Sequence, residues 1–142
     1  MSKIALDRLL EKYPSEVIRH HAEHGDETVV LKPEKLVEIC TFLRDDAVTS
    51  FEMLSDLTGV DYFGVKEPRF EVVYHLYNIA RGGGPVVLKA QVNRDEPVLP
   101  SLTPIFPGAE FQEREAFDMY GFNFLGHPDL RRILTWDGFN GH

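Results

Sequence analysis

Apolar residues recur at Ile4, Ala5, Leu6, Leu9 and Leu10, the spacing that gives a helix one core-facing side, and the pattern predicts a helix over Ile4 to Lys12. Tyr13-Pro14 ends it, because a residue before proline is pushed out of the α region. The stretch EVIRHHAEHGDETVVLKP then reads as two short strands joined across Gly25-Asp26. Pro33, well placed at a first helical position where no N–H is missed, opens a second helix with Leu36, Val37, Ile39, Cys40 and Leu43 on one face.

From Phe51 the pattern turns to strands. FEMLSDLTGVDYF mixes aromatic and aliphatic residues, with a bulge or bend expected at Gly59. RFEVVYHLYNI alternates through Phe70, Val72, Tyr74, Leu76 and Asn78, with Val73 and Tyr77 on the other face. RGGGP connects it to a return strand, VVLKAQVN; a phosphate cradle would need a helix after the glycines, and a proline and a strand follow instead. AEFQEREAFDMYGF has helical period, with Gly121 as its C-cap. The final stretch, GHPDLRRILTWDGFNGH, reads mostly as loop, with a short helix starting at Pro128. With no internal repeat or long linker, residues 1–142 are expected to form one α+β domain: two layers, a mixed and mostly antiparallel sheet with helices mainly on one face.

Composition narrows the function. A chain of 142 residues with 43% hydrophobic and 27% charged residues can bury a core without staples. The single cysteine, Cys40, cannot form an internal disulfide or supply the thiolates of an iron–sulfur cluster. The sequence has no apolar run of spanning length, and its start lacks signal-peptide architecture, so a cytosolic chain, or one bound to a membrane through partners, is expected. A net charge of −8 argues against nucleic acid or anionic lipid as the main ligand.

His20, His21 and His24 invite a metal reading, but no cysteine or carboxylate completes a set with ligand spacing, and a polar edge strand explains them more simply. Asp56 and Asp61 are five apart, so a straight strand turns them to opposite faces. The dense signal is EREAFDMYGFNFLGHPDLRRIL. On a helix, Arg114 lies four residues after Glu110 and four before Asp118, an arrangement expected to form a fork of charge-assisted hydrogen bonds with depressed carboxyl pKa values. Such carboxylates make poor general acids, which favours an interface over hydrolysis. Gly126-His127-Pro128-Asp129 then turns the chain and presents Arg131 and Arg132.

That stretch resembles the signature of the C subunit family, also called the 30 kDa subunit family, of respiratory complex I. The pattern of E-R-E, an acid, two hydrophobics, His or Lys, a basic residue and an aliphatic is filled by Glu113, Arg114, Glu115, Asp118, Met119, Tyr120, His127, Arg131 and Ile133. Upstream, LSDLTGVDY from Leu54 to Tyr62 is similar to another element of the family, and RDEPVLPSLTPIFPGAEFQERE to a third, with Phe111 where many relatives carry tryptophan. The likeness runs from about Pro33 onward. Relatives continue into a basic tail that packs along a neighbouring subunit, whereas this sequence stops at His142, which bears on partner affinity.

The resemblance implies a cofactor-free structural subunit with no activity of its own, in the peripheral arm of an NADH:quinone oxidoreductase on the cytoplasmic face of the membrane. FMN and the iron–sulfur clusters would belong to partner subunits. It would dock beside the D (49 kDa) subunit and neighbouring iron–sulfur subunits, with residues 122–142 as an extended partner-binding segment. The clamp is expected from Glu113, Arg114, Glu115, Asp118, His127, Asp129, Arg131 and Arg132. Two other assignments compete: the equivalent subunit of a ferredoxin- or F420-dependent dehydrogenase or membrane-bound hydrogenase, and a small hydrolase using Glu113, Glu115 or Asp118 with His127.

Overall fold

The computed structural model describes residues 2–23, 25–62, 70–80, 85–92, 95 and 97–128. Helix α1 spans Ser2–Lys12, strand β1 Val17–His21 and β2 Thr28–Leu31. A 3-10 turn over Pro33–Lys35 leads into α2, Leu36–Asp45. Strands β3 (Met53–Asp61), β4 (Phe70–Tyr77) and β5 (Val86–Val92) follow, then β6 (Val98–Pro100), α3 (Ala109–Tyr120) and β7 (Asn123–Leu125).

Five strands form one sheet in the order β1-β2-β5-β4-β3, and only β2–β5 is parallel. This is the expected mixed, mostly antiparallel α+β arrangement. One set of side chains, Val29 and Leu31 on β2, Val72, Tyr74 and Leu76 on β4, and Val86, Leu88, Ala90 and Val92 on β5, joins residues of all three helices in one apolar cluster. The strands' period of two therefore puts these side chains on the face that meets the helices and Val30, Val73 and Val87 on the other.

Helix α2 buries Leu36, Ile39, Cys40 and Leu43 at i, i+3, i+4 and i+7. Helix α1 buries Ala5, Leu6 and Leu9, while Ile4 and Leu10, at the margins of its apolar face, stay exposed. Arg8 reaches the C-cap residue of α2 through a 2.7 Å contact with Asp46, whose other carboxylate oxygen accepts from the Val48 N–H.

One expectation changes, two fall outside the described residues, and two strands appear that were not foreseen. The irregularity in β3 lies between Leu54 and Asp56; Gly59 stays in register opposite Val72. Strand β1 ends at His21, and His24 lies outside the described residues, as does the glycine run of the β4–β5 connection. Residues 98–100 and 123–125, for which no strand was expected, form β6 and β7, which pair in parallel across α3.

Candidate functional site

Strand β6, α3 and β7 form a small β-α-β unit on the flank of the main sheet. Its internal brace is Glu113, fully buried on α3. One carboxylate oxygen accepts from Ser101 Oγ at 2.6 Å and the other from the Leu102 N–H at 2.8 Å. Ser101 Oγ also accepts from the Thr103 N–H at 3.1 Å. The carboxylate thereby fastens the turn after β6 onto the helix. Burial pushes the Glu113 pKa above its ordinary value; the Ser101 and Leu102 hydrogen bonds and the charge of His127 pull the other way.

Helix α3 ends at Gly121, whose φ of +78° suits a residue without a Cβ and whose N–H bonds the Phe117 carbonyl. The reversal buries Phe122 and Phe124. Tyr120 stacks on Phe122 with ring centroids 5.2 Å apart, and Phe70 meets Phe122 edge-on at 5.5 Å. These rings sit over Gly59 of β3: a Cβ there would lie 2.7 Å from Tyr120 and 2.9 Å from Phe122. The glycine read as a bend is a site of close approach. Beyond β7, His127 Nε2 lies 2.8 Å from the Glu110 carbonyl, which ties the chain back to the start of α3.

The clamp residues divide by exposure. Glu115 is exposed, and Arg114 and His127 are partly exposed. Glu113 and Asp118 are 0% and 1% exposed, so their expected role as direct partner contacts is corrected: they belong to the interior of this unit. Asp129, Arg131 and Arg132 lie outside the described residues. The arginine fork is also corrected. Among the described residues the ion pairs are Lys3–Asp7, Arg8–Asp46, Arg19–Glu71 and Arg44–Asp45, and Arg114 joins neither Glu110 nor Asp118. Helical i,i+4 ion pairs are worth only about 0.3–0.5 kcal/mol and must repay side-chain entropy, so spacing alone does not enforce them. Glu113 lies outside that expected fork, and its pKa is raised because desolvation outweighs the hydrogen bonds.

Sequence reasoning missed two features. Phe111, Met119 and Leu125 are 57%, 49% and 58% exposed, leaving apolar surface on the outside of the unit. On the face of the sheet opposite the helix-packed cluster, Glu71 is fully buried, with Arg19 Nη2 3.9 Å away. Tyr62 beside it is pushed up to about 12, first by burial and then by its hydrogen bond to Glu71 and that residue's charge. The alternation of β4 signalled which face Glu71 occupies, but nothing in the sequence signalled its burial. No group of three or more His, Cys, Asp or Glu residues among those described is placed to hold a metal ion, and no described helix is long and apolar enough to cross a membrane.

Residues 29–142 match the family described as the 30 Kd subunit of respiratory-chain NADH dehydrogenase. The chain is 51% identical over 126 residues to the NADH-quinone oxidoreductase C subunit of Caulobacter vibrioides, covering 89% of this chain and 62% of that protein. Against the corresponding C subunit of Roseiflexus sp. (strain RS-1) it is 44% identical over 137 residues, covering 96% and 78%. It thus spans less than two thirds of the first relative and more than three quarters of the second. Among solved structures, a trypsin-resistant fragment of Nqo5 superposes with a TM-score of 0.73 at 32% identity, covering 89% of this chain and 99% of the fragment. A chain of the membrane-bound sulfane sulfur reductase, an archaeal respiratory membrane complex, shares the fold at a TM-score of 0.73 and 24% identity, covering 94% and 75%.

Proposed function

The chain belongs to the 30 kDa subunit family of respiratory-chain NADH dehydrogenases, and from that membership we propose that it is a cofactor-free structural subunit of the peripheral arm of an NADH:quinone oxidoreductase. The observation that carries this reading is the family match over residues 29–142, which takes in the whole β6-α3-β7 unit. In this role the protein contributes position: electron transfer and quinone binding need neighbouring subunits held rigidly, and a braced unit bearing polar groups suits a clamp.

The protein docks beside the 49 kDa subunit and the iron–sulfur subunits, on the cytoplasmic face of the membrane, while FMN and the clusters sit in those partners. Arg114, Glu115 and His127 form the outward part of the clamp, and Asp129, Arg131 and Arg132 of the following segment also belong to the clamp. Glu113 and Asp118 act from within, as braces.

The test is a pull-down from detergent-solubilised membranes with this chain as bait and an Arg131→Glu/Arg132→Glu variant as control. The native chain is expected to recover the 49 kDa and cluster-bearing subunits, and the variant roughly tenfold less, the loss expected when about 1.4 kcal/mol of binding is removed. Equal recovery would keep the assembly and remove the two arginines from the clamp. Recovery of neither partner by the native chain would overturn the reading.

A further inference from the structure

Helix α3 presents Phe111, Glu115 and Met119 at i, i+4 and i+8, one line along its outer side. All three are exposed, the two apolar members by 57% and 49%. Beside this line a groove of about 110 Å³ runs between α3 and β3, lined by Leu57, Thr58, Gln112, Glu115 and Met119 among others. At roughly 30 Å³ of liquid per water molecule, that volume holds one side chain. Strand β3 is the last strand of its sheet, so the groove lies along a sheet edge.

The polar groups of the groove ask for a donor. Gln112 Oε1 is buried and finds no hydrogen-bond partner among the described residues. Glu115, three residues further along the helix, adds a full negative charge to the same groove. A buried acceptor without a donor is costly, and a cation placed between a carboxylate and an amide oxygen makes hydrogen bonds of the stronger, charge-assisted kind. Resting on the functional reading above, we propose that this groove and the Phe111–Met119 line dock a segment of a neighbouring subunit that carries a lysine or arginine next to an apolar side chain. The cation enters between Glu115 and Gln112, and the apolar side chain covers Met119 and Phe111. Charge selects such a partner over a second copy of this chain. A two-fold pairing through this patch would set its carboxylates, Glu115 and the nearby Glu110, against their own copies in a chain of net charge −8.

The experiment places a photoreactive benzophenone amino acid at Met119, and separately at Phe111, of the full chain in cells lacking the native subunit. Membranes are irradiated and the cross-linked peptides are sequenced by mass spectrometry. The expected product joins this chain to another subunit, at a peptide with lysine or arginine within a few residues of the link. A link to a second copy of the chain, or no intermolecular link from either position while the chain is retained in the assembly, would overturn the proposal. Glu115→Lys is expected to lower retention in the assembly roughly tenfold, with Glu115→Gln intermediate; unchanged retention of Glu115→Lys would also overturn it. Absence of even the unmodified chain from any NADH-oxidising assembly would instead sink the functional reading and leave the groove's chemistry aside.

Discussion

Glu113 has no exposed surface, and the Ser101 hydroxyl and Leu102 N–H both donate to its carboxylate. Glu113→Ala leaves that N–H buried and unpaired, so a loss of about 1–3 kcal/mol is expected in urea unfolding. Glu113→Gln retains one acceptor oxygen and should lose less. The pH dependence has a definite sign. The folded-state pKa is raised above the ordinary 4.5, so the folded protein holds the proton to higher pH than the unfolded chain does. This contribution is fully present below pH 4.5 and is lost as pH rises through the folded pKa. Stability relative to Glu113→Gln should therefore be greatest in acid and fall toward neutrality; a flat difference across that window would rule out the elevated pKa. No feature of the sequence distinguished Glu113 from Glu115 as the buried acid. The choice depends on which side of α3 meets the turn at Ser101, a tertiary fact.

Among the elements, those with a long period were legible. Helix α2 showed its buried face as Leu36, Ile39, Cys40 and Leu43, and Gly121 marked the end of α3, because one rule of spacing or capping sufficed in each case. Strands β6 and β7 were not legible: three residues cannot establish a period of two, and Pro100 obscures the first further. The function of Gly59 was hidden for a related reason, since the rings it accommodates come from Tyr120 and Phe122, about sixty residues away. Alanine is normally favoured over glycine inside a strand by about 0.5–1 kcal/mol. Here its Cβ would meet ring carbons at 2.7–2.9 Å, and overpacking of this kind costs about 1–3 kcal/mol. Gly59→Ala is thus expected to lower the melting temperature, and Tyr120→Ala in the same chain to recover part of the loss. A Gly59→Ala single variant as stable as the parent would show that the rings yield freely.

On the scale of the whole molecule, the apolar cluster that joins α1, α2, the sheet and α3 among the described residues implies that this core opens as a unit. Cys40 reports on this, being fully buried with its thiol pushed up to about 12 by desolvation. At pH 8 the folded chain should react with a thiol reagent only through global opening, and Glu113→Ala should quicken labelling roughly tenfold for each 1.4 kcal/mol lost in urea. A variant destabilised in urea but labelled at the parental rate would show that the β6-α3-β7 unit opens separately. The sheet order also has a consequence for the chain during its synthesis. Strand β5 lies between β2 and β4, so residues 28–31 keep an open edge until residues 86–92 have left the ribosome. At about 5–20 residues per second the nascent chain spends roughly 3–12 s with the apolar strand Thr28–Leu31 unpaired on that side. During that interval the strand is open to pairing with another chain. The inserted central strand that completes the folded sheet thus makes the half-made protein dependent on the pace of translation and on whatever shields that edge meanwhile.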